Sequence, residues 1–491
     1  MRIFYLIFLT LSPFLALHGE TGKPNVLFVI SDDLNYALSG FGHPECKTPH
    51  LDEFAKTATS FTRAYSQFPL CGPSRASIMT GQYPNVNGVA GNGGNVAEDR
   101  VTLPKHFQDH GYWSARVSKI YHMGIPSDIV QGTDGGDHSL SWNKAHNITA
   151  LETMTPGNIE DYVSPEAYLE YPKQRKEWKA ALDQNKPYHM PQKVRGQYAV
   201  VEVPDKDVDL LPDKMAADQA IEILGQRTRE EAPFFLAVGF VRPHFPVVTT
   251  ESSLAPYDAD EIAYPAFPDD DYDDIPRQAI NGRLAFPEDE VRKMRRGYFG
   301  SVTFMDEQFG RLMAELDRLD LRKNTVIVFV SDHGYLLGEH EMWKKSKLWE
   351  EAIHVPLMIS VPGQANAQVC HRFVELIDLY PTLTELSGLP PESATQGLSL
   401  VPLLKSPAAE RPEKTDALIQ IGAGYGLRTE GWAYMWYPPK KKDPEAAMLF
   451  HMEKDPQQFT NLANHPEYAP VRESLHHRLM ARIEASKSVP K

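Results

Sequence analysis

The stretch Thr325-Val326-Ile327-Val328-Phe329-Val330-Ser331-Asp332-His333-Gly334 decides the fold. A run suited to a buried, pleated strand stops abruptly at a carboxylate and an imidazole. The same construction occurs twice more. Residues 25–31, Asn-Val-Leu-Phe-Val-Ile-Ser, lead into Asp32-Asp33, and residues 234–240, Phe-Phe-Leu-Ala-Val-Gly-Phe, lead into Arg242-Pro243-His244. Strands without polar alternation are covered on both faces, as in parallel sheets under helices. Open α/β sheets hold their ligands at the carboxyl edge of the strands. The chain therefore reads as α/β, with a large central mixed, mostly parallel sheet flanked by helices and ionisable residues gathered at one edge.

Between these strands lie amphipathic patterns. Residues 288–318 place Val291, Met294, Tyr298, Val302, Met305, Phe309, Leu312 and Leu316 at helical spacing, and 213–229 form a shorter helix. Residues 143–210 and 250–287 are rich in Pro, Tyr and charge, and read as long excursions over the sheet. From about 411 the character changes. Residues 417–421, 426–429, 432–436 and 448–452 look like short antiparallel strands, followed by a helix near 469–485. The expected organisation is a signal peptide at 1–19, a main domain at 24–410 and a smaller C-terminal α+β subdomain at 411–488.

The most informative polar run is Cys71-Gly72-Pro73-Ser74-Arg75, closed by Thr80-Gly81. Pro73 suits the first turn of a helix and Gly81 its far end. Cys71 then stands at the positive tip, where backbone N–H groups and the dipole favour an anion. Arg75, one turn on, adds a permanent charge with a fork that matches oxyanions. Asp32, Asp33 and Asp332, with His333 adjacent, are carboxylates at two strand ends, suited to a hard divalent cation.

Length and charge narrow the function. At 491 residues the chain exceeds what one core serves. Arg2, the apolar stretch Leu6 to Leu17 and Gly19 read as a secretory signal, so the protein is expected to be exported, periplasmic or secreted. No other segment has the ~20 continuous apolar residues of a membrane span, so stable membrane insertion is not expected. A net charge of −15 argues against nucleic-acid partners. Of the three cysteines, Cys46 and Cys370 are left as a pair or as two buried thiols. The acidic run Asp269-Asp270-Asp271-Tyr272-Asp273-Asp274 lacks the ligand spacing of an EF-hand and reads as a solvated loop, with a calcium loop as the rival reading.

The pattern C-x-P-S-R with a following T-G resembles the signature of formylglycine-dependent sulfatases, in the alkaline-phosphatase superfamily. Asp32-Asp33, Ser118-Lys119-Ile120-Tyr121-His122, Arg242-Pro243-His244 and Ser331-Asp332-His333-Gly334 fall in that family's order. Leu211-Pro212-Asp213-Lys214, the run Pro233 to Pro246, and Gly338-Glu339-His340 with Trp343 and Lys345 look most like the iduronate-2-sulfatase branch. The segment from Asp455-Pro456 to Asn461-Leu462-Ala463 resembles a tail motif of sulfatases, with a structural role.

The resemblance implies specific roles. Cys71 would be converted to formylglycine by a formylglycine-generating enzyme, and its hydrate would attack sulfur. Asp32, Asp33, Cys71, Asp332 and His333 would hold the metal, Ca²⁺ ahead of Mg²⁺; many sulfatases carry asparagine at the position of His333. Arg75 would stabilise the nucleophile, and Lys119 and His122 would orient and deprotonate it. His244 and Lys345 would contact sulfate and protonate the leaving oxygen. Lys345 is chosen over Lys344 for its spacing from Asp332. His340 suits a supporting or core role, and Trp343 packs on a sugar or in the core. The substrate implied is a sulfated mono- or oligosaccharide, a 2-O-sulfated hexuronate first and sulfated fucose or another glycan unit next. The rivals are a phosphoesterase or phosphonate hydrolase of the same superfamily and a catalytically inactive sulfated-glycan-binding protein.

Overall fold

The computed structural model describes residues 22–151, 158–160, 200–280, 286–440 and 443–489. The expected signal peptide and most of the 143–210 excursion lie outside these residues. The three strands that end in ionisable residues are neighbours: Asn25–Asp32 lies between Thr325–Ser331 and Phe234–Pro243 and is parallel to both. Their register sets Ser31 opposite Ser331 and Asp32 opposite Pro243, so Asp32, Asp332 and His244 emerge at one edge. Trp113–Ser118 and Lys144–His146 extend the sheet in parallel on one side. On the other side His354–Ser360 runs antiparallel between Thr325–Ser331 and Thr59–Tyr65. Gln368–Cys370 and Val374–Glu375 then pair in parallel with Thr59–Tyr65, completing a nine-stranded sheet among the described residues. The sheet is mixed and mostly parallel, as the apolar runs imply.

Alternation along the central strand divides the core between the two faces. Leu27 and Val29 face helices Pro212–Arg227 and Glu288–Arg318 through Ala220, Leu224, Met305 and Phe309. Val26, Phe28 and Ile30 face helices Cys71–Thr80, Leu103–Asp109 and Leu379–Leu386 through Ile78, Phe107 and Leu383. Each such side chain contributes about 1.5–3 kcal/mol by leaving water. The long helix also caps a neighbour: Asp306 accepts the N–H groups of His50 (3.0 Å) and Leu51 (2.7 Å) at the start of helix Pro49–Ala55.

The C-terminal strands Asp416–Gln420, Tyr425–Thr429, Trp432–Tyr437 and Ala446–His451 form an antiparallel meander, with boundaries within two residues of those expected. One face packs on helix Ala469–Ala485 through Leu475, Leu479 and Ile483. The other face packs on the main body, where Ile419 and Met435 meet Trp349 and Phe373. The tail motif is structural. Asp455 accepts from Phe459 (3.0 Å) and Thr460 (2.9 Å), and Asn461 Oδ1 accepts from Leu449 and Ala463, each at 3.0 Å.

Cys46, Cys71 and Cys370 are all free and buried, so Cys46 and Cys370 are thiols. The acidic run departs from a fully solvated loop at Asp271. That residue is buried and receives His340 Nδ1 at 2.9 Å, while His340 stacks on Trp349 with centroids 4.0 Å apart. Trp343 is also buried and meets Phe286 edge to face, so its role is packing. No helix among the described residues is long and apolar enough to cross a membrane.

A buried charge lock joins subdomain to sheet. Glu375 accepts from Tyr83 (2.6 Å) and the Leu418 N–H (2.9 Å), and pairs with Lys414 (2.6 Å) and Arg482 (3.1 Å). Lys414 also pairs with Asp378, at 2.5 Å. Removing one member of such a network leaves the others charged and unpaired. Glu375→Ala is expected to lower stability by about 3–5 kcal/mol in urea unfolding; a loss below about 1 kcal/mol would assign the junction to apolar packing instead.

Candidate active site

Cys71 opens helix Cys71–Thr80, and Gly81 ends it in the left-handed conformation (φ 64°) that glycine adopts without strain. The thiol is buried. Lys345 Nζ lies 3.0 Å from Sγ, His333 Nε2 3.4 Å and Asp33 Oδ1 3.8 Å. These groups come from four separate segments: a helix tip, two strand ends and the strap at 338–347.

Arg75 organises the carboxylates from the next turn of the same helix. Fully buried, it donates Nε to Asp332 Oδ2 (2.8 Å), Nη2 to Asp32 Oδ1 (3.2 Å) and Nη1 to the carbonyls of Lys119 and Ile120 (3.2 Å for Ile120). A guanidinium satisfies several acceptors in fixed geometry where an ammonium would not. Lys119 Nζ pairs with Asp32 Oδ2, and Lys345 Nζ with Asp33 Oδ1. Gly239 makes the first pairing possible, since a Cβ there would meet the Lys119 carbonyl oxygen at 2.0 Å. Asp332 Oδ1 accepts the N–H groups of Asp33 (3.1 Å) and His333 (2.9 Å), which locks the two strand ends together.

His244 stands at the edge of the cluster, with Nε2 3.7 Å from Asp33 Oδ2 and Nδ1 donating to the Phe245 carbonyl at 2.5 Å. Two residues without an assigned role in the sequence hold it there. Arg242, buried, donates Nη1 to the His244 (3.1 Å) and Pro246 (3.3 Å) carbonyls. The Asp213 carboxylate accepts the N–H groups of Val241 (2.7 Å) and Arg242 (2.9 Å). His122 is less directly tied: its Nδ1 is buried without a hydrogen-bond partner among the described residues. Lys119 thus meets Asp32, while Lys345, His333 and Asp33 lie nearest the sulfur. Lys347, next along the strap and buried, donates to the carbonyls of Trp343 (2.8 Å) and Lys345 (3.5 Å).

The electrostatics follow from burial and charge together. Burial and then the Lys119 ammonium push His122 down to about 3, so it is neutral. Burial likewise holds His244 well below its ordinary value, reinforced by Lys345. Burial raises Asp33 to about 7 against the pull of Lys345. For Asp32, burial acts upward, but Lys119 and Arg75 prevail and keep the carboxyl well below its usual range. Burial and Asp32 would raise the Cys71 thiol, yet Lys345 and Lys119 hold it below its ordinary value. His333 moves the other way: burial opposes its proton, but Asp332 and the Cys71 sulfur raise it to about 9.

That last shift bears on a metal. The cavity draws positive charge onto His333 Nε2, whose Nδ1 is committed to the Gly334 carbonyl at 2.9 Å. Donor atoms of Asp32, Cys71, Asp332 and His333 all lie within 4.8 Å of one another, as do those of Asp32, Asp33, Cys71 and His244. Carboxylate oxygens with one imidazole fit a divalent cation.

A family model described as sulfatase matches residues 24–389, and one described as the C-terminal part of N-sulphoglucosamine sulphohydrolase matches 338–485. Iduronate 2-sulfatase of Homo sapiens is 30% identical, over 76% of this chain and 70% of its own. A choline-sulfatase of Rhizobium meliloti is 31% identical, over 91% and 83%. Among solved structures, a phosphonate monoester hydrolase from Silicibacter pomeroyi shares the fold with a TM-score of 0.73 at 22% identity, covering 94% of this chain and 95% of that one.

Binding to the native state alone raises stability by mass action. Millimolar Ca²⁺ is expected to raise the calorimetric melting temperature of the wild-type chain and a chelator to reverse it, whereas Asp332→Asn loses most of the response. Equal shifts in both proteins would locate cation binding away from this cluster.

Proposed function

The chain belongs to the sulfatase family and is a sulfuric ester hydrolase, and we propose that it is an exported, metal-dependent enzyme that releases sulfate from a sulfated carbohydrate through a formylglycine at position 71. The observation that carries the reading is the setting of Cys71: a buried Sγ at a helix tip, 3.0 Å from Lys345 Nζ and 3.4 Å from His333 Nε2. Conversion by a formylglycine-generating enzyme replaces sulfur with oxygen on the same Cβ, so Sγ marks where the hydrate's oxygen would lie. Asp32, Asp33, Asp332 and His333 would hold the divalent cation, Ca²⁺ first, which supplies Lewis acidity and charge neutralisation when bound.

The chain's own residues would then divide the work. Lys345 and Arg75 favour the deprotonated hydrate by charge, and the helix tip adds its dipole. Lys119 holds Asp32 ionised. Neutral His122 serves to accept the hydrate's proton. As the hydrate oxygen bonds to sulfur, the bond from sulfur to the leaving oxygen breaks, and Lys345, which is protonated, delivers the proton that oxygen requires, while neutral His244 contacts the sulfuryl group. The second hydroxyl of the hydrate then loses its proton and expels sulfate by breaking the carbon–oxygen bond, which restores the aldehyde. A serine or unconverted cysteine lacks that second hydroxyl and would stall.

A 2-O-sulfated hexuronate is the leading substrate, supported by the likeness to iduronate 2-sulfatase; sulfated fucose or another glycan unit is the next class to test. Matured protein is expected to carry formylglycine in the Cys71 peptide by mass spectrometry and to release sulfate from sulfated saccharides. Lys345→Ala is expected to lower kcat by roughly 10²–10³. An intact thiol in active enzyme, or faster hydrolysis of an aryl phosphate than of the matching aryl sulfate, would overturn the mechanism or the ester assignment respectively.

A further inference from the structure

The acidic run at 269–274 is wedged between the strap at 338–347, which carries Lys345, and the C-terminal subdomain. Toward the strap, the buried Asp271 carboxylate accepts from His340 Nδ1 at 2.9 Å. Burial disfavours charge on that imidazole, but the bond to Asp271 and the Glu351 carboxylate outweigh it and move His340 above its ordinary value. A hydrogen bond assisted by charge is about twice as strong as a neutral one. Toward the subdomain, Asp274 Oδ2 accepts the Asn461 N–H and the Asp274 carbonyl accepts from Asn461 Nδ2, each at 2.8 Å. Asn461 is itself fixed, because its Oδ1 receives the Leu449 and Ala463 N–H groups.

Apolar packing follows the same route. Ile275, next after the run, belongs to one buried cluster with Leu336 and Met342 at the strap and with Met435 and Phe450 of the subdomain. His340 meets Phe459 edge to face with centroids 5.5 Å apart, and Trp349, on which His340 stacks, packs on Phe450 at 5.6 Å. Between His340 and Lys345 the chain has little slack. Trp343 is buried and paired in register with Leu337, and just beyond Lys345 the Ser346 N–H donates to the Pro69 carbonyl at 2.8 Å. The backbone is left-handed at His340, Glu341, Lys344 and Ser346. Such a segment relaxes unless its surroundings hold it.

We infer that Asp271 is a positioning residue and the acidic run a tether: through it the C-terminal subdomain fixes the strap, and the strap holds the Lys345 ammonium 3.0 Å from Cys71 Sγ. The inference rests on the proposed role of Lys345 in the sulfatase reaction. A displacement of about 1 Å at a reacting group can cost roughly 10²-fold in rate. Contacts remote from the sulfur are therefore felt in turnover, and the subdomain governs it from outside the reacting cluster.

The test uses full-length, matured enzyme and a 2-O-sulfated uronate disaccharide. Asp271→Ala is expected to lower kcat about tenfold or more, with KM changed less than about threefold. Introduced into Lys345→Ala, the same change is expected to lower kcat less than about twofold further, because its effect passes through Lys345. Asp274→Ala, exposed at the subdomain end, is expected to lower kcat about threefold or more with a melting temperature within about 2 °C of wild type. Unaltered kcat in Asp274→Ala would detach the subdomain from the strap and overturn the inference, as would an equal further loss from Asp271→Ala in the Lys345→Ala background. Should the wild type release no sulfate, the proposed function fails alone, and hydrogen exchange decides the tether. Faster exchange in the 338–347 peptide of Asp274→Ala than in that of wild type supports it, and identical exchange overturns it.

Discussion

The structure turns on a balance of buried charge at one edge of the sheet. Asp32, Asp33 and Asp332 are shielded from water at the ends of two adjacent parallel strands. Carboxylates so close cannot remain ionised in a low-dielectric setting unless cations converge on them. Arg75, Lys119 and Lys345 do so, each from a different part of the chain. The cluster thereby fastens a helix, the turn after Trp113–Ser118 and the 338–347 strap to the central strands. Fold and site are not separable here, because deleting Arg75 or Lys345 would strip Asp332 or Asp33 of its arginine or lysine partner, and deleting Lys119 would leave Asp32 with Arg75 alone.

Such an arrangement is held under strain. Among non-glycine residues with positive φ, Asp33, Ser118, His340, Glu341, Lys344 and Ser346 belong to the site or flank it. Left-handed backbone at non-glycine residues costs of order 1–3 kcal/mol and persists only where the surroundings over-determine it. Those surroundings are visible. His340 is clamped between Asp271 and Trp349, the Lys345 carbonyl receives Lys347, and the Glu375 and Asp378 lock secures the body behind. Stability drawn from apolar packing on both faces of the sheet offsets what the polar edge consumes.

Much of this was legible in the sequence, for identifiable reasons. Strands 25–31, 234–240 and 325–330 are apolar on both faces and end in ionisable residues, so their burial and their common edge follow from pattern. The long helix at 288–318 follows from its period. What could not be read are pairings between distant segments with no local mark. The antiparallel insertion of His354–Ser360 depends on tertiary packing. Asp271 lies within a run of exposed acids and is set apart only by the arrival of His340. Asp213 and Arg242 stood inside motifs already noticed, yet their work of holding His244 depends on backbone contacts that residue type does not announce. Lys119 illustrates the opposite limit. Its place near the site was foreseeable, but its immediate partner, Asp32, was not.

These features bear on how the protein selects a substrate. With a net charge of −15 the molecule as a whole repels sulfated polymers. The cations of the site are largely neutralised by their own carboxylates and sit out of solvent, so they project little field beyond the cavity. Attraction must therefore arise at short range, from groups that touch the ligand after it has arrived. Under the proposed function, discrimination falls to directional contacts at the rim, while the buried cluster would carry out chemistry common to sulfate esters in general. That division accounts for relatives as different as iduronate 2-sulfatase and choline-sulfatase matching one chain at 30% and 31% identity.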